Sequence, residues 1–573
     1  MVGAISILVF ARTLGAEFLL WDDDVHVTAN ARLDPPTLRS VLGFWTGPFL
    51  GLYVPASYTL FALEAWVTSG PDPRVFHAVS LALHAGNAAL VVILLARLGA
   101  RPAGAALGGL FFALHPLQAE SVSWISEQRG LLAAFFGLGA LILYARPTRS
   151  LRGDVGCTIL LVLALLSKPS AVVVPALALL FEIAILRRGV RFAAPRLAIG
   201  FIAAAAMFVI TKSIQADEIV KGIVDVPGRI LVAADAVEFY ARKLFVPIGL
   251  APDHGRRPVL VVAQGVDWTL VATTLVAVAA MLVPRVRRVV ILPFLIFVAA
   301  LAPVLGLVPF AHQDISTVAD RYAYLALLGP ALFVARAWPE RPGLALRAGA
   351  AIATLVLGAL SFAQAGYWRD TEAVFERVLV VNRRSWIAHT NRGLARQMRG
   401  DLAAAATEYE AALAAKPDHA RALNNLGVLL VQRGQVTEGE ALVLRAIDAD
   451  PRYPRPHMNL AAILGNQGRL EEAQVSARRA VELAPFDPTM WATLGNVLLR
   501  QQRADEALAA FARTVELRPR DIEGWVGLGQ ADVALGRHAR AIPSFERALA
   551  LARERSPGRV RAIQAELDRV LGR

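Results

Sequence analysis

The chain of 573 residues contains one cysteine, Cys157, which excludes a disulfide framework and any zinc site built on thiolates. Charge is scarce. Asp, Glu, Lys and Arg make up 18% of the residues, against roughly 25% in an average soluble domain. With 56% hydrophobic residues this excludes a disordered chain, and a mean hydropathy of +0.50 excludes one that is soluble throughout. Lysine is almost missing: Lys168, Lys212, Lys221, Lys243 and Lys416 stand among 59 basic residues, a usage that points to a GC-rich bacterial genome. No Asn-x-Ser/Thr acceptor sequence occurs. A basic block is missing too. The net charge of +13 divides into +8 over residues 1–366 and +5 over 367–573, without the patch that nucleic-acid binders carry, so no nucleic-acid partner is expected.

What is present falls into two parts that join near Trp368-Arg369-Asp370. Up to residue 366, apolar runs approach the ~20 residues a bilayer requires and are broken by short polar segments. Eleven membrane-crossing helices are expected, starting near 2, 77, 102, 131, 155, 169, 194, 267, 289, 322 and 345. The stretch 229–251 carries Asp235, Glu238, Arg242 and Lys243 and reads as an interfacial or re-entrant helix. Arginines cluster in alternate connections, at Arg97/Arg101, Arg146/Arg149/Arg152, Arg187/Arg188/Arg191, Arg285/Arg287/Arg288 and Arg336/Arg341/Arg347. The positive-inside rule puts those connections in the cytoplasm, and eleven spans then put the C-terminal part outside, in the periplasm of a bacterial inner-membrane protein. The first apolar run has no small-residue cleavage site after it and reads as a retained anchor.

From Tyr367 onward a period of 34 governs the sequence. Pro417, Pro451, Pro485 and Pro519 keep it, as do Gly393, Gly427, Gly495 and Gly529, with Ala461 in the remaining place. Small residues recur at Ala405, Gly439, Ala473, Ala507 and Ala541. Paired helices need small residues where they cross, and proline ends the second helix, so this is the tetratricopeptide (TPR) pattern. The expected order is a membrane domain over 1–366, a linker over 367–385, five repeats over 386–555 and a capping helix within 556–573. The fold class is therefore all-α, a polytopic membrane domain followed by a helical solenoid. Asn391, Asn425 and Asn459 stand two residues before the Gly/Ala position of the first three repeats. They form a candidate row of amides that either holds an extended peptide by its backbone or satisfies groups nearby.

Charges at the membrane boundary need a reason, and the unusual ones gather on the outer side. Asp22-Asp23-Asp24 follows the first span. These carboxylates offer a general base or a divalent-cation site at Asp22 and Asp23, or else simply a solvated loop that ends a helix. His115 and Glu120, in His-Pro-Leu-Gln-Ala-Glu, lie in the next outer loop, with Trp124 and Arg129 after them. Lys168-Pro169 makes a tight outer turn and Asp320-Arg321-Tyr322 opens the tenth span. Arg129, Lys168 and Arg321 together suit an anionic phosphate in a water-poor site; internal ion pairing is the alternative for each alone. His77, His84 and Asn87 share one side of the second span, an arrangement that suits hydrogen bonding between helices.

The stretches LLWDDDVHVTAN, LYVPASYTLFALE, FHAVSLALHAGNAALVVILLARL, FFALHPLQAESVSWISEQRGLLAAFF, LLSKPSAVVVPALALL and ADRYAYLALLGP, followed by the repeats, resemble the bacterial relatives of the transmembrane-and-tetratricopeptide O-mannosyltransferases. These are GT-C class glycosyltransferases. The resemblance implies protein O-mannosylation or a related transfer, from a polyprenyl-phosphate sugar donor to a hydroxyl acceptor on polypeptide. The family's acidic pair falls on Asp22 and Asp23, its histidine and glutamate on His115 and Glu120, and its Asp-Arg-Tyr on Asp320, Arg321 and Tyr322. Two places depart from the pattern: Tyr-Arg-Pro appears as Tyr53-Val54-Pro55, and Lys-Asp as Arg129-Gly130. A polymerase or ligase of lipid-linked glycans and a non-catalytic membrane-anchored scaffold are the rival readings.

Overall fold

The computed structural model describes residues 1–148, 150–215, 223–265, 269, 271–272 and 282–572. Among them there is no β-strand, only helices and turns. The chain divides into two compact units, Met1–Val27 with Pro36–Ser385, and Thr28–Pro35 with Trp386–Arg573.

The first unit is built on apolar helices that start where the sequence supplies a proline or a cap. Pro55, Pro73, Pro102 and Pro284 each take a first-turn position, where a missing N–H costs nothing. Asp72 caps Pro73–Arg97 by accepting from the Arg74 amide at 2.8 Å, and Ser150 caps Leu151–Ser167 through the Gly153 amide at 3.1 Å. Among the described residues, five helical stretches are long and apolar enough to cross a membrane: Pro73–Arg97, Ile125–Tyr144, Pro169–Leu186, Val190–Ile214 and Leu344–Trp368. Shorter apolar helices lie at Val2–Gly15, Pro102–Leu114, Val289–Val304 and Leu328–Ala337. The span expected near 267 lies mostly outside the described residues.

Val190–Ile214 and Leu344–Trp368 leave most of their side chains uncovered, among them Ile202, Val209, Ile352 and Leu355. Apolar surface on this scale is stable against lipid and costly against water. Val226–Phe245 differs. It buries Asp235, Glu238 and Lys243 and gives Asp235 to Arg256.

A packed helix stands where a linker is expected. Thr371–Val381 clusters with the first unit and buries Val374, Phe375 and Val378. Its start is tied to the first loop, since the Leu20 amide donates to Thr371 Oγ1 at 3.0 Å and the Trp21 and Phe375 rings lie 5.5 Å apart.

In the second unit the helices come in pairs, from Trp386–Met398 with Leu402–Ala415 to Ile522–Ala534 with His538–Arg555, and end on Val560–Leu571. The glycine register has a steric cause. A Cβ at Gly495 would meet the Phe511 ring at 2.7 Å, and one at Gly529 would meet Phe545 at 2.7 Å, because the partner helix sets its aromatic against bare backbone there. The prolines do a second job as acceptors: Trp491 Nε1 and Trp525 Nε1 donate to the Pro485 and Pro519 carbonyls, each at 2.9 Å. His457 repeats the contact on Pro451 at 3.1 Å.

Candidate active site

The site is organised by the segment His115–Gly130, which breaks into short helical turns between Pro102–Leu114 and Gln128–Tyr144 and is almost wholly buried. Trp124 anchors it: its Nε1 donates to the Trp21 carbonyl at 3.1 Å, and its ring lies against Trp21 and Trp368.

The three acidic residues of the first loop have different surroundings. Asp23 is fully buried. One oxygen accepts from the Leu19 amide at 3.0 Å, the other from the Ser126 amide at 2.9 Å and the Ser126 hydroxyl at 2.5 Å. Burial pushes its carboxyl up to about 7, against the pull of those donors. Asp22 is half-buried and has a positive φ of 66°, a left-handed conformation that aspartate tolerates better than most side chains. The Asp22 carbonyl accepts from the His26 amide at 2.8 Å, and His26 in turn bonds the Tyr58 hydroxyl at 2.8 Å. Burial beside Arg129 holds His26 well below the usual imidazole range, hence neutral. A divalent cation shared by Asp22 and Asp23 does not fit these surroundings. Asp23 is fully buried and already accepts three hydrogen bonds, and among the described residues no three His, Cys, Asp or Glu are grouped to ligate a metal.

Glu120 and Arg321 form a buried pair. Arg321 Nη1 lies 2.5 Å from Glu120 Oε1, and the Arg321 amide donates to Oε2 at 3.1 Å. The same guanidinium reaches the His312 ring at 3.2 Å and covers the Trp124 and Tyr322 rings. Burial raises the Glu120 carboxyl while Arg321 pulls it down, and the neighbouring acids and Tyr322 hold Arg321 firmly charged. Beside them Lys168 is paired with Glu127. Lys168 is drawn below its usual range by burial, with Glu127 opposing.

Gly130 explains how Glu127 fits. A Cβ at position 130 would occupy the place of the Glu127 carboxylate and would stand 3.3 Å from Lys168 Nζ. Glu127 thus sets its carboxylate in the space that a side chain at position 130 would fill. Asp320 is held by His254 at 3.0 Å, and Tyr240 braces the loop by exchanging hydrogen bonds with Ala319.

Glu127, Lys168, Arg321 and Tyr322 line one cavity of about 80 Å³ together with Ser170 and Tyr324, and much of the rest of its wall is apolar, from residues such as Ala133, Val174, Val304 and Leu325. Of the sequence candidates the structure therefore brings together Glu120, Lys168 and Arg321. It sets Asp23 next to them through Ser126, the residue before Glu127. Arg129 lies outside the cavity lining and donates to the Ser126 carbonyl at 2.7 Å. His115 does not face the cavity. It accepts from the Leu117 amide at 3.3 Å and lies 3.3 Å from the Leu244 carbonyl, a turn-closing position in which burial lowers its imidazole to about 4. His84 and Asn87 meet the Tyr324 hydroxyl at 2.9 and 3.0 Å, joining helices. Glu127, Ser126, His254 and His312 escape a reading by sequence. An acid at the start of an apolar run, which demands a partner, is the signal that could have found Glu127.

In the repeats, Asn391 is 1% exposed, so its amide is not offered to a peptide. Asn425 and Asn459 are half-buried and joined through Asn424, whose amide donates to Asn425 at 3.1 Å and accepts from Asn459 at 2.8 Å. Asn424 thus links the two neighbouring amides of the row.

Tetratricopeptide repeat families match residues 396–454, 454–487 and 486–554. Human protein O-mannosyl-transferase TMTC4 is 27% identical over 172 residues, 26% of this chain and 23% of that protein. Protein O-mannosyl-transferase Tmtc2 of Drosophila melanogaster is 30% identical over 196 residues, 31% of this chain and 21% of the relative. The chain is similar to protein O-mannosyl-transferases. The match spans about a fifth to a quarter of the length of these curated relatives. Solved structures similar to this chain include a thermophilic TPR protein from Thermus thermophilus (23% identical, 32% of this chain, 98% of that one, TM-score 0.29). Another is YrrB, a TPR protein with an unusual peptide-binding site (21%, 32%, 93%, TM-score 0.26).

Proposed function

We propose that the chain is a membrane glycosyltransferase that moves one sugar, mannose by analogy with the named relatives, from a polyprenyl-phosphate donor to a hydroxyl on polypeptide, at the extracytoplasmic face. The observation that carries this reading is the cavity in which two cations, Lys168 and Arg321, meet a lining that is apolar over much of its extent, beside helices long enough to cross a membrane. A lipid phosphate needs both at once: cations held in a water-poor place for the departing phosphate, and apolar surface for the first isoprene unit. Glu120 and Glu127 act as positioning residues that fix the two cations. Arg129 adds positive field from outside the lining.

The acceptor alcohol is a poor nucleophile at neutral pH and requires a base. Asp22 is the base in this proposal, because it is half-buried and within reach of an acceptor, while Asp23 is fully buried and holds the loop. In-line attack by the acceptor oxygen forms the new glycosidic bond as the bond to the donor phosphate breaks. The proton passes to Asp22 and the phosphate leaves as an anion against Lys168 and Arg321, with inversion at the anomeric carbon. The repeats present the acceptor or recruit a partner.

The test is transfer from polyprenyl-phosphate mannose to polypeptide by the protein in lipid nanodiscs. Asp22→Asn should lower the rate by roughly 10²–10⁴ with donor binding unchanged. Product on a lipid-linked glycan would replace this reading by the ligase, and no product from any donor by the scaffold.

A further inference from the structure

The repeat unit includes a short segment from far away in the chain, Thr28–Pro35. Leu33 is fully buried, Asn30 is nearly so, and Arg32 lies over the Phe486 ring. Next to this segment is a cavity of about 390 Å³, closed on its other side by residues that end the fourth repeat and the last helices.

Four arginines face it. Arg518 is shared with Asp521 at 3.5 Å, and Arg559 pairs with Glu523 at 2.8 Å. Arg555 grips Asp34 with two parallel hydrogen bonds, at 2.8 and 2.9 Å, and Arg520 stands 3.8 Å from the same carboxylate. One acid thus serves two guanidinium groups; if it left, Arg520 would lose its carboxylate and Arg555 would keep only Glu554, at 3.9 Å. Arg518 Nη2 also donates to the Ala29 carbonyl at 3.0 Å. The segment is therefore held at two kinds of point, a main-chain carbonyl and a side-chain carboxylate five residues later. A free anion offers only the second of these; a polypeptide offers both.

We propose that this cavity is a binding site for acidic polypeptide, in which a ligand carboxylate takes the place that Asp34 holds between Arg555 and Arg520, and Arg518 takes a ligand carbonyl. Asp34 is the built-in competitor. The site needs no sugar transfer to operate, so its failure and the failure of the transferase reading are separate outcomes.

The full-length protein in nanodiscs is titrated with a fluorescein-labelled peptide of about ten residues alternating Gly and Glu, and with a matched Gly/Gln peptide, by fluorescence anisotropy. The Glu peptide should bind and the Gln peptide should not. Asp34→Asn, which removes the competitor, should tighten binding about tenfold, the weight of one charge-assisted hydrogen bond. Arg520→Gln, which leaves the Asp34–Arg555 grip in place, should weaken it by a similar factor, as should Arg555→Gln. Thermal melting of the variants checks that the repeats remain folded. Equal binding of the two peptides, indifference to Asp34→Asn and Arg520→Gln together, or competition by inorganic phosphate at the same concentration as by Glu peptide would overturn the proposal.

Discussion

Two sets of ion pairs, one drawn from each unit, sit in opposite surroundings. In the repeats, Arg469–Glu472, Arg503–Glu506, Arg513–Glu516 and Arg569–Glu566 are pairs three residues apart on largely exposed helix faces. In the membrane unit, Glu120–Arg321 and Glu127–Lys168 join distant parts of the chain, and their acids are 1% and 3% exposed. Water can replace a partner in the first group and not in the second. A pair of the first kind is therefore dispensable, while one of the second kind ties a residue's charge to its place in the fold.

The strongest way to break this comparison is to remove Arg321. Arg321→Ala leaves the Glu120 carboxylate buried without its cation and should cost about 3–5 kcal/mol of stability, together with transfer. Replacing both, as Glu120→Leu with Arg321→Met, should recover much of the stability and none of the transfer. Thermal unfolding and transfer assays on the same preparations read the two effects apart. A double variant as active as the native protein would show that the pair is packing alone.

Asp23 sharpens the comparison through pH. Its carboxyl titrates near the usual 3.8 when unfolded and near 7 in place. Between those values the folded protein keeps a proton that the unfolded chain has lost, so stability falls as pH rises through that window. The native protein should lose up to about 4 kcal/mol relative to Asp23→Asn between pH 4 and 7. Parallel stability curves for the two proteins would mean that the buried carboxyl is already ionised at the lower end.

How much of this could be read from the sequence follows from the same contrast. The repeat unit is legible because its information is local and repeated: proline and glycine every 34 residues mark helix ends and crossings, and the structure supplies the Phe511 and Phe545 rings that need the glycines. Even so, the tryptophans at 491 and 525 and the histidine at 457 keep the same period without announcing what they bond. In the membrane unit the residues of the site are visible as charges out of place, but their partners are not. Glu120 finds Arg321 across 201 residues, and Glu127 finds Lys168 across 41. His115, conspicuous by its motif, closes a turn. Glu127, unremarkable in its motif, lines the cavity. Nothing in the chain announces that Thr28–Pro35 clusters with the repeats, since that depends on Asp34 meeting Arg555.

Glu127 and Gly130 offer a finer test. Glu127→Ala should slow transfer about tenfold by leaving Lys168 unpaired beside Arg321. Gly130→Asp alone should also be harmful, because its carboxylate enters the space and the field of Glu127. Combined, the new aspartate has room and a cation 3.3 Å from its Cβ position, so the double variant should be better than either single one. A coupling of about 1–2 kcal/mol is in the range for residues that share a partner. Simple additivity would show that the two positions do not compete for one place.

The smallest expected effect belongs to the repeats. Arg503 bonds Glu506 in the first turn of Ala504–Leu517, and also reaches Gln474 at 2.9 Å, with both charged side chains more than 40% exposed. Arg503→Ala should change stability by less than about 1 kcal/mol, and the change should shrink further as salt shortens the reach of the field. By distance its geometry is comparable with that of the buried pair Arg321–Glu120, so solvent is left as the deciding variable. If Arg503→Ala were as costly as Arg321→Ala, burial would not be what separates the two kinds of pair, and the geometry of each would have to decide its worth instead.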